Sequence, residues 1–138
     1  MDLRQTSKLF YQLKLVNQEM VTKFEKETGF SITRYELLMY LAEVGLCSQT
    51  TLQEKMKIDR AAITRHLKIL EEENYVIRKR NDKNNREVFV QLTDEARKSL
   101  NICQNEHIDD PSLICLSKEE EETFLALLNK LVTGKRKI

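Results

Sequence analysis

The chain has no tryptophan, one proline and three glycines in 138 residues. So few turn-forming residues argue against a β-sandwich, which needs many tight reversals, and favour a mostly helical fold. No uninterrupted apolar run approaches the roughly 20 residues of a membrane-spanning helix. The N-terminal stretch MDLRQTSKLFYQLKLVNQEM has charges scattered through it, unlike the apolar centre of a secretory signal, so a cytoplasmic protein away from the membrane is expected. Cysteine is scarce: Cys47, Cys103 and Cys115 are odd in number, widely spaced and contain no C-x-x-C pair. That argues against a disulfide framework or a zinc site in a cytoplasmic chain. His66 and His107 fall in no recognisable ligand motif, so no metal and no cofactor is expected. Paired carboxylates, a nucleophile–base constellation and a glycine-rich phosphate loop are all lacking, which argues against an enzyme.

Charge of one sign is also lacking overall, for the net charge is +1, but its distribution is uneven. From Lys55 to Leu92 there are ten Lys/Arg against six Asp/Glu, and elsewhere thirteen against sixteen. A middle that is basic relative to both ends suits a polyanion-binding face on a near-neutral body.

Hydrophobic periodicity gives the elements. Leu9, Leu13, Val16, Met20 and Phe24 recur at steps of three or four, so residues 3–27 read as a long amphipathic helix stopped by Gly29. Thr33, with Glu36 three residues on, has the pattern of a capping box opening a second helix. That helix would turn Leu37, Tyr40, Leu41 and Val44 inward and end at Gly45. Ser48 is the expected cap of a short third helix that buries Leu52 and Met56, with Ile58 packed in the connection. Asp59 would cap a fourth helix running to about Glu73, with Ile63, Leu67 and Leu70 inward. Its opposite face carries Arg60, Ala61, Thr64, Arg65 and Lys68. Asn74 stands where the chain must leave that helix. YVIRKR and REVFVQL are the two strand candidates, the second through the alternation of Val88, Val90 and Leu92. The polar NDKNN between them reads as the turn of an antiparallel hairpin. Thr93 caps a further helix that ends before Asp110-Pro111, and Ser117 with Glu120 opens a last one, striped by Phe124, Leu127, Leu128, Leu131 and Val132.

Helix, short helix, helix and two-stranded hairpin, in that order, predict a winged helix-turn-helix: mostly α with a small β-hairpin. Its third helix would enter a DNA major groove, and the hairpin would reach to backbone or minor groove. Arg60, Ala61, Thr64 and Arg65 lie in the first two turns of that helix, where side chains reach base edges. Arginine donates twice to guanine, while Ala and the Thr methyl meet the thymine methyl. Lys83 and Arg86 flank the hairpin tip, where a cation meets phosphate or a narrow minor groove. The alternative is a winged-helix adaptor that binds protein, since winged helices also serve as interaction modules.

The stretches SITRYELLMYLAEVG, LQEKMKIDRAAITRHLKILEEENYVIRKR and REVFVQLTDEA resemble the multiple-antibiotic-resistance regulator (MarR) family. With the flanking helices, the resemblance covers essentially all of residues 1–138 as a single domain. It implies a winged helix-turn-helix lobe over 30–93 and a helical dimerisation region over 1–29 and 94–138. The family implies a homodimer on double-stranded, pseudo-palindromic operator DNA, often a repressor released by a small ligand or an oxidant. By position, Arg60, Ala61, Thr64 and Arg65 would read the groove, Lys68 would extend that face, and Arg86 would be the wing arginine. The effector cleft the family places between dimer helices and DNA-binding lobe points to Tyr11, Tyr35, Met39 and Tyr40. These residues offer apolar area with a polar tip to a small aromatic or amphipathic ligand, and as plain core they are equally well explained. Two positions depart from the family: Asn84 stands where Asp usually precedes the wing arginine by two, and Asn74 replaces a glycine. The family's peroxide-sensing branch uses a cysteine in the first helix, and this chain has none before Cys47.

Overall fold

The computed structural model describes residues 1–133, apart from the side chains of Asn84 and Asn85. The expected departure at Asn84 therefore falls outside the described side chains, as do residues 134–138 of the expected dimerisation region. The chain divides into two compact units, Met1–Ile108 and Asp109–Ile138.

The first unit opens with α1 (Leu3–Thr28). Asp2 accepts from the Gln5 amide at 2.8 Å, and the Gln5 side chain accepts from the Asp2 amide at 2.9 Å, a reciprocal capping box. The helix ends, as its pattern predicts, on Gly29 in the left-handed region at φ 79°. Within this unit none of its residues is fully buried, although the apolar stripe is continuous.

Helix α2 (Ile32–Val44) starts two residues earlier than the sequence suggests, because Ser31 rather than Thr33 is its N-cap. The reason is aromatic: Phe30 just before the cap and Tyr35 in the first full turn pack ring against ring at 5.6 Å. This hydrophobic staple fixes the entry of the chain and places Thr33 inside the helix. The inward set also differs. Leu37, Leu38 and Leu41 are fully buried, whereas Val44, the last helical residue, is 45% exposed. The helix packs against both α1 and the sheet, so two adjacent positions find cover while its C-terminal turn lies beyond the core.

A two-residue strand β1 (Cys47–Ser48) leads into α3 (Gln49–Met56), capped by Ser48. Three residues join α3 to α4 (Arg60–Glu72), the first of them Lys57 in the left-handed region at φ 54°. Asp59 caps α4, accepting from the Ala62 amide at 2.7 Å. Ile63, Leu67 and Leu70 are buried as their spacing requires. Asn74 takes the left-handed conformation at φ 68°, and the Tyr75 amide then donates to the Leu70 carbonyl at 2.8 Å. Asparagine tolerates this conformation second only to glycine.

Strands β2 (Val76–Asn81) and β3 (Asn84–Leu92) form the hairpin, and β1 adds to its other side in the antiparallel order β1-β3-β2. The sequence pattern does not reveal β1, since two residues are too few to alternate. Pairing runs regularly from Val76–Leu92 to Arg80–Val88 and then jumps to Asn81–Asn84. Residues 85–87 are thus extra on β3, a bulge with Arg86 in its middle. The reversal is confined to Asp82 and Lys83, shorter than the whole polar stretch suggests, because Asn81 Oδ1 accepts from the Lys83 amide at 3.0 Å. Thr93 caps α5 (Asp94–Glu106), which sends Ala96 and Leu100 into the core.

The second unit carries α6 (Lys118–Thr133). Ser117 and Glu120 exchange the expected capping-box bonds at 2.9 and 3.1 Å. Its stripe leaves Phe124, Leu125, Leu127 and Leu131 exposed, and it too buries no residue.

Candidate nucleic-acid interface

Helix α4 presents its candidate residues outward because its apolar positions are used in the other direction. Ile63, Leu67 and Leu70 face the core, which leaves Arg60, Ala61, Thr64, Arg65 and Lys68 exposed on the far side. These five residues line one shallow depression whose surface is predominantly carbon: methyl groups and the stems of long cations.

A second, deeper groove runs between α3, α4 and the wing. Arg60 and Thr64 of α4 enter it, facing Arg78 and Arg80 of β2 and Arg86 of the β3 bulge, with Gln49, Thr50 and Gln53 from α3 closing one side. Four arginines thus line one open concavity whose lining contains no carboxylate among the described residues. Such a concavity raises the local potential toward an anion. Of the expected residues, the structure brings Arg60, Thr64 and Arg86 together here. Arg65 and Lys68 stay on the helix face away from the wing, and Lys83 sits at the hairpin tip.

Arg78 and Arg80 were missing from the sequence-based set, and so were the α3 residues. A signal exists for the first two. Val76, Arg78 and Arg80 alternate along β2, so the side chain after the buried Val76 continues on the same face toward α4. Arg78 Nη2 donates to Glu71 Oε1 at 2.9 Å and ties the wing to the end of α4. That bond holds the Glu71 carboxyl below its ordinary pKa. Arg78 Nε is buried without a hydrogen-bond partner among the described residues.

Two side chains from other elements hold α4 in place. Arg34 of α2 approaches His66 with Nη1 at 3.4 Å from Nδ1. A guanidinium only donates, so Nδ1 accepts and the neutral ring carries its proton on Nε2. Burial, then Arg34 and Arg65, push the His66 pKa down. Thr64 Oγ1 donates to the Arg60 carbonyl at 2.8 Å and accepts from Gln49 Nε2 at 3.0 Å, linking α4 to the start of α3.

The four residues expected for an effector do not converge within one chain. Tyr35, Met39 and Tyr40 pack against the core, with Tyr35 edge-on to Phe24 at 5.5 Å. Tyr11 is 60% exposed and lines a shallow groove formed by α1 alone, beside Arg4, Ser7, Lys8 and Gln12. It lies thirteen residues before Phe24, about 20 Å along the helix axis at the ordinary rise. Two of the three cysteines are shielded, for burial pushes the Cys47 and Cys103 thiols up, whereas Cys115 is exposed.

Comparison with known proteins places this geometry. Residues 30–88 match the model of the MarR family. A Bacillus subtilis protein described as the uncharacterized HTH-type transcriptional regulator YdgJ is 38% identical over 127 residues, covering 91% of this chain and 77% of that protein. Among solved structures, a probable transcriptional regulator from Pseudomonas aeruginosa superposes with a TM-score of 0.78 at 25% identity, covering 92% of this chain and 98% of the other. A mutant MarR from E. coli, solved in complex with operator DNA, gives a TM-score of 0.82 at 22% identity, covering 96% of this chain and 99% of the other.

Proposed function

The chain belongs to the MarR family of helix-turn-helix transcription regulators, and from that premise we propose that it binds a pseudo-palindromic operator as a homodimer. Its bound state represses, in the cytoplasm, and a small aromatic or amphipathic ligand releases it. The observation that carries the DNA-binding reading is the groove where Arg60 and Thr64 of α4 meet Arg78, Arg80 and Arg86 of the wing. Helix α4 enters the major groove and the wing takes the flanking backbone, a division supported by the two faces that meet at Thr64, one largely carbon and one lined by arginines. The E. coli MarR mutant that shares this fold was itself solved in complex with operator DNA, which supports a DNA-binding role here.

Dimerisation rests on unburied apolar surface. Helix α1 leaves Leu9, Phe10, Leu13, Leu15 and Met20 at least 38% exposed, and α6 leaves Phe124, Leu125, Leu127 and Leu131 at least 45% exposed. Stripes of that length on a soluble regulator call for a partner surface, and two-fold symmetry supplies one while setting half-site spacing. Ligand release rests on family membership and on the aromatic side chains of α1 and α2. Tyr11 of one protomer would complete a cleft only with elements other than its own Tyr35.

Selection of bound sequences from random duplex DNA tests the core of this reading, followed by titration of the selected duplex over a range of salt. A two-fold symmetric site and a steep loss of affinity with salt are expected. Failure to enrich any duplex, or a monomer in sedimentation that retains full affinity, overturns the proposal; the former would favour a protein-binding adaptor.

A further inference from the structure

Thr64 is the one small side chain shared by the carbon-lined face of α4 and the arginine groove, apart from the much longer Arg60. A threonine offers a base edge either its hydroxyl, with one donor and two acceptor sites, or its methyl. Here the hydroxyl is engaged twice. Its proton goes to the Arg60 carbonyl at 2.8 Å, and one lone pair takes the Gln49 amide at 3.0 Å. The bond to the Arg60 carbonyl is ordinary within a helix. The bond from Gln49 is not local: it spans fifteen residues and two helices, and it fixes the side-chain rotamer from outside. The γ-methyl is what remains without a polar obligation. One helical turn away on the same face stands the Ala61 methyl, since positions three apart are neighbours. Both lie in the carbon-lined depression framed by Arg60, Arg65 and Lys68.

We propose that Ala61 and Thr64 form a methyl-reading platform that selects a thymine in each half-site through its 5-methyl group. Gln49 is the positioning residue that withdraws the Thr64 hydroxyl from the DNA. The inference deepens the DNA-binding reading above and rests on it. Its chemistry is specific: the thymine 5-methyl is the only apolar group that a base pair presents in the major groove. A hydroxyl free to rotate would accept from adenine or cytosine and donate to guanine or thymine, giving little discrimination. With the hydroxyl held, contact with the 5-methyl buries carbon against carbon, and uracil at the same position loses that contact without losing a hydrogen bond.

The test uses the full chain and the selected duplex, with each thymine replaced singly by uracil. At one symmetric position, uracil is expected to weaken binding about fourfold per half-site, the worth of one buried methyl, and about sixteenfold when both half-sites are changed. Thr64→Val, which keeps the methyl, should keep that thymine-to-uracil ratio, and Thr64→Ser should bring it close to one. Gln49→Met should reduce the ratio while leaving base preference at the Arg65 position unchanged. Adding Thr64→Val to Gln49→Met should restore it, because valine has no hydroxyl to withdraw. That rescue separates positioning from a general structural role. A ratio near one at every thymine of the wild-type complex overturns the platform while the symmetric site leaves the regulator reading intact. Loss of the ratio in Thr64→Val overturns it as well, since the hydroxyl would then be the reader. If no duplex is selected at all, it is the DNA-binding reading itself that fails.

Discussion

Arg65 and Arg86 are both exposed cations, yet they should fail differently when removed. Arg65 projects from the second turn of α4 onto the face shared with Ala61 and Lys68, away from the wing. On the proposed docking, its two parallel donors would reach the edge of a guanine. Replacing it with Ala should lose roughly 1–3 kcal/mol per half-site, or about 2–6 kcal/mol for a dimer, concentrated at one base position. Arg86 lies in the β3 bulge and opens into the groove beside Arg78 and Arg80. A bulge re-aims a side chain off the regular ladder, here into that groove. Its loss should remove about one phosphate contact per wing. Each such contact contributes a slope of about −0.9 in log affinity against log salt, so Arg86→Ala in a dimer should flatten the slope by about 1.8. The same figure makes each wing worth about fivefold in affinity between 1 M and 0.15 M salt. Fluorescence anisotropy on one selected operator and its single-base variants, over a salt series, reads both quantities. If Arg65→Ala weakens every variant equally while Arg86→Ala shifts base preference, the assignment of helix and wing is reversed. If neither variant alters DNA binding and both remain folded, the groove is not a nucleic-acid interface.

Three further outcomes bear on the scaffold. Leu67→Ala removes a fully buried side chain from the inner face of α4 and should lower unfolding free energy by about 2–5 kcal/mol in urea denaturation, with an unchanged slope; a loss below about 1 kcal/mol would mean that α4 is not seated as described. His66 has its pKa depressed in the folded state, so the unfolded chain binds the proton more readily and stability falls as pH drops below the ordinary value near 6.5, levelling off beneath the folded value; a His66→Gln variant should lack that slope, whereas the loss from Glu71, whose pKa is also depressed, should appear only below about 4.5 and be unaffected. In a thiol titration with an aromatic disulfide reagent near pH 8, Cys115 should react first, while Cys47 and Cys103, buried and with raised pKa values, should wait for unfolding; three fast thiols would contradict the core around β1 and α5.

Helix α4 and its caps were legible from the chain alone because their causes are local. Asp59 meets an amide three residues away, Ile63, Leu67 and Leu70 recur at the helical period, and the cations on the opposite face follow from the same geometry. Gly29, Ser48, Asn74, Thr93 and the Ser117–Glu120 pair were legible for the same reason: each acts within a few residues of itself. The alternation of Val88, Val90 and Leu92 likewise sets a strand. What tertiary structure decided lies between elements. Ring packing of Phe30 on Tyr35 chose Ser31 over Thr33 as a cap, and cover from both α1 and the sheet buried Leu38 in place of Val44. Pairing with β3 made a strand of Cys47–Ser48, which has no pattern of its own. The hold of Gln49 on Thr64 and of Arg78 on Glu71, and the meeting of four arginines in one groove, join residues that periodicity treats separately. The spread of Tyr11 away from Tyr35, Met39 and Tyr40 is of the same kind. Sequence pattern specifies which face of an element is apolar and where the element stops; which side chains then meet depends on how those faces are packed, and packing is a property of the whole chain.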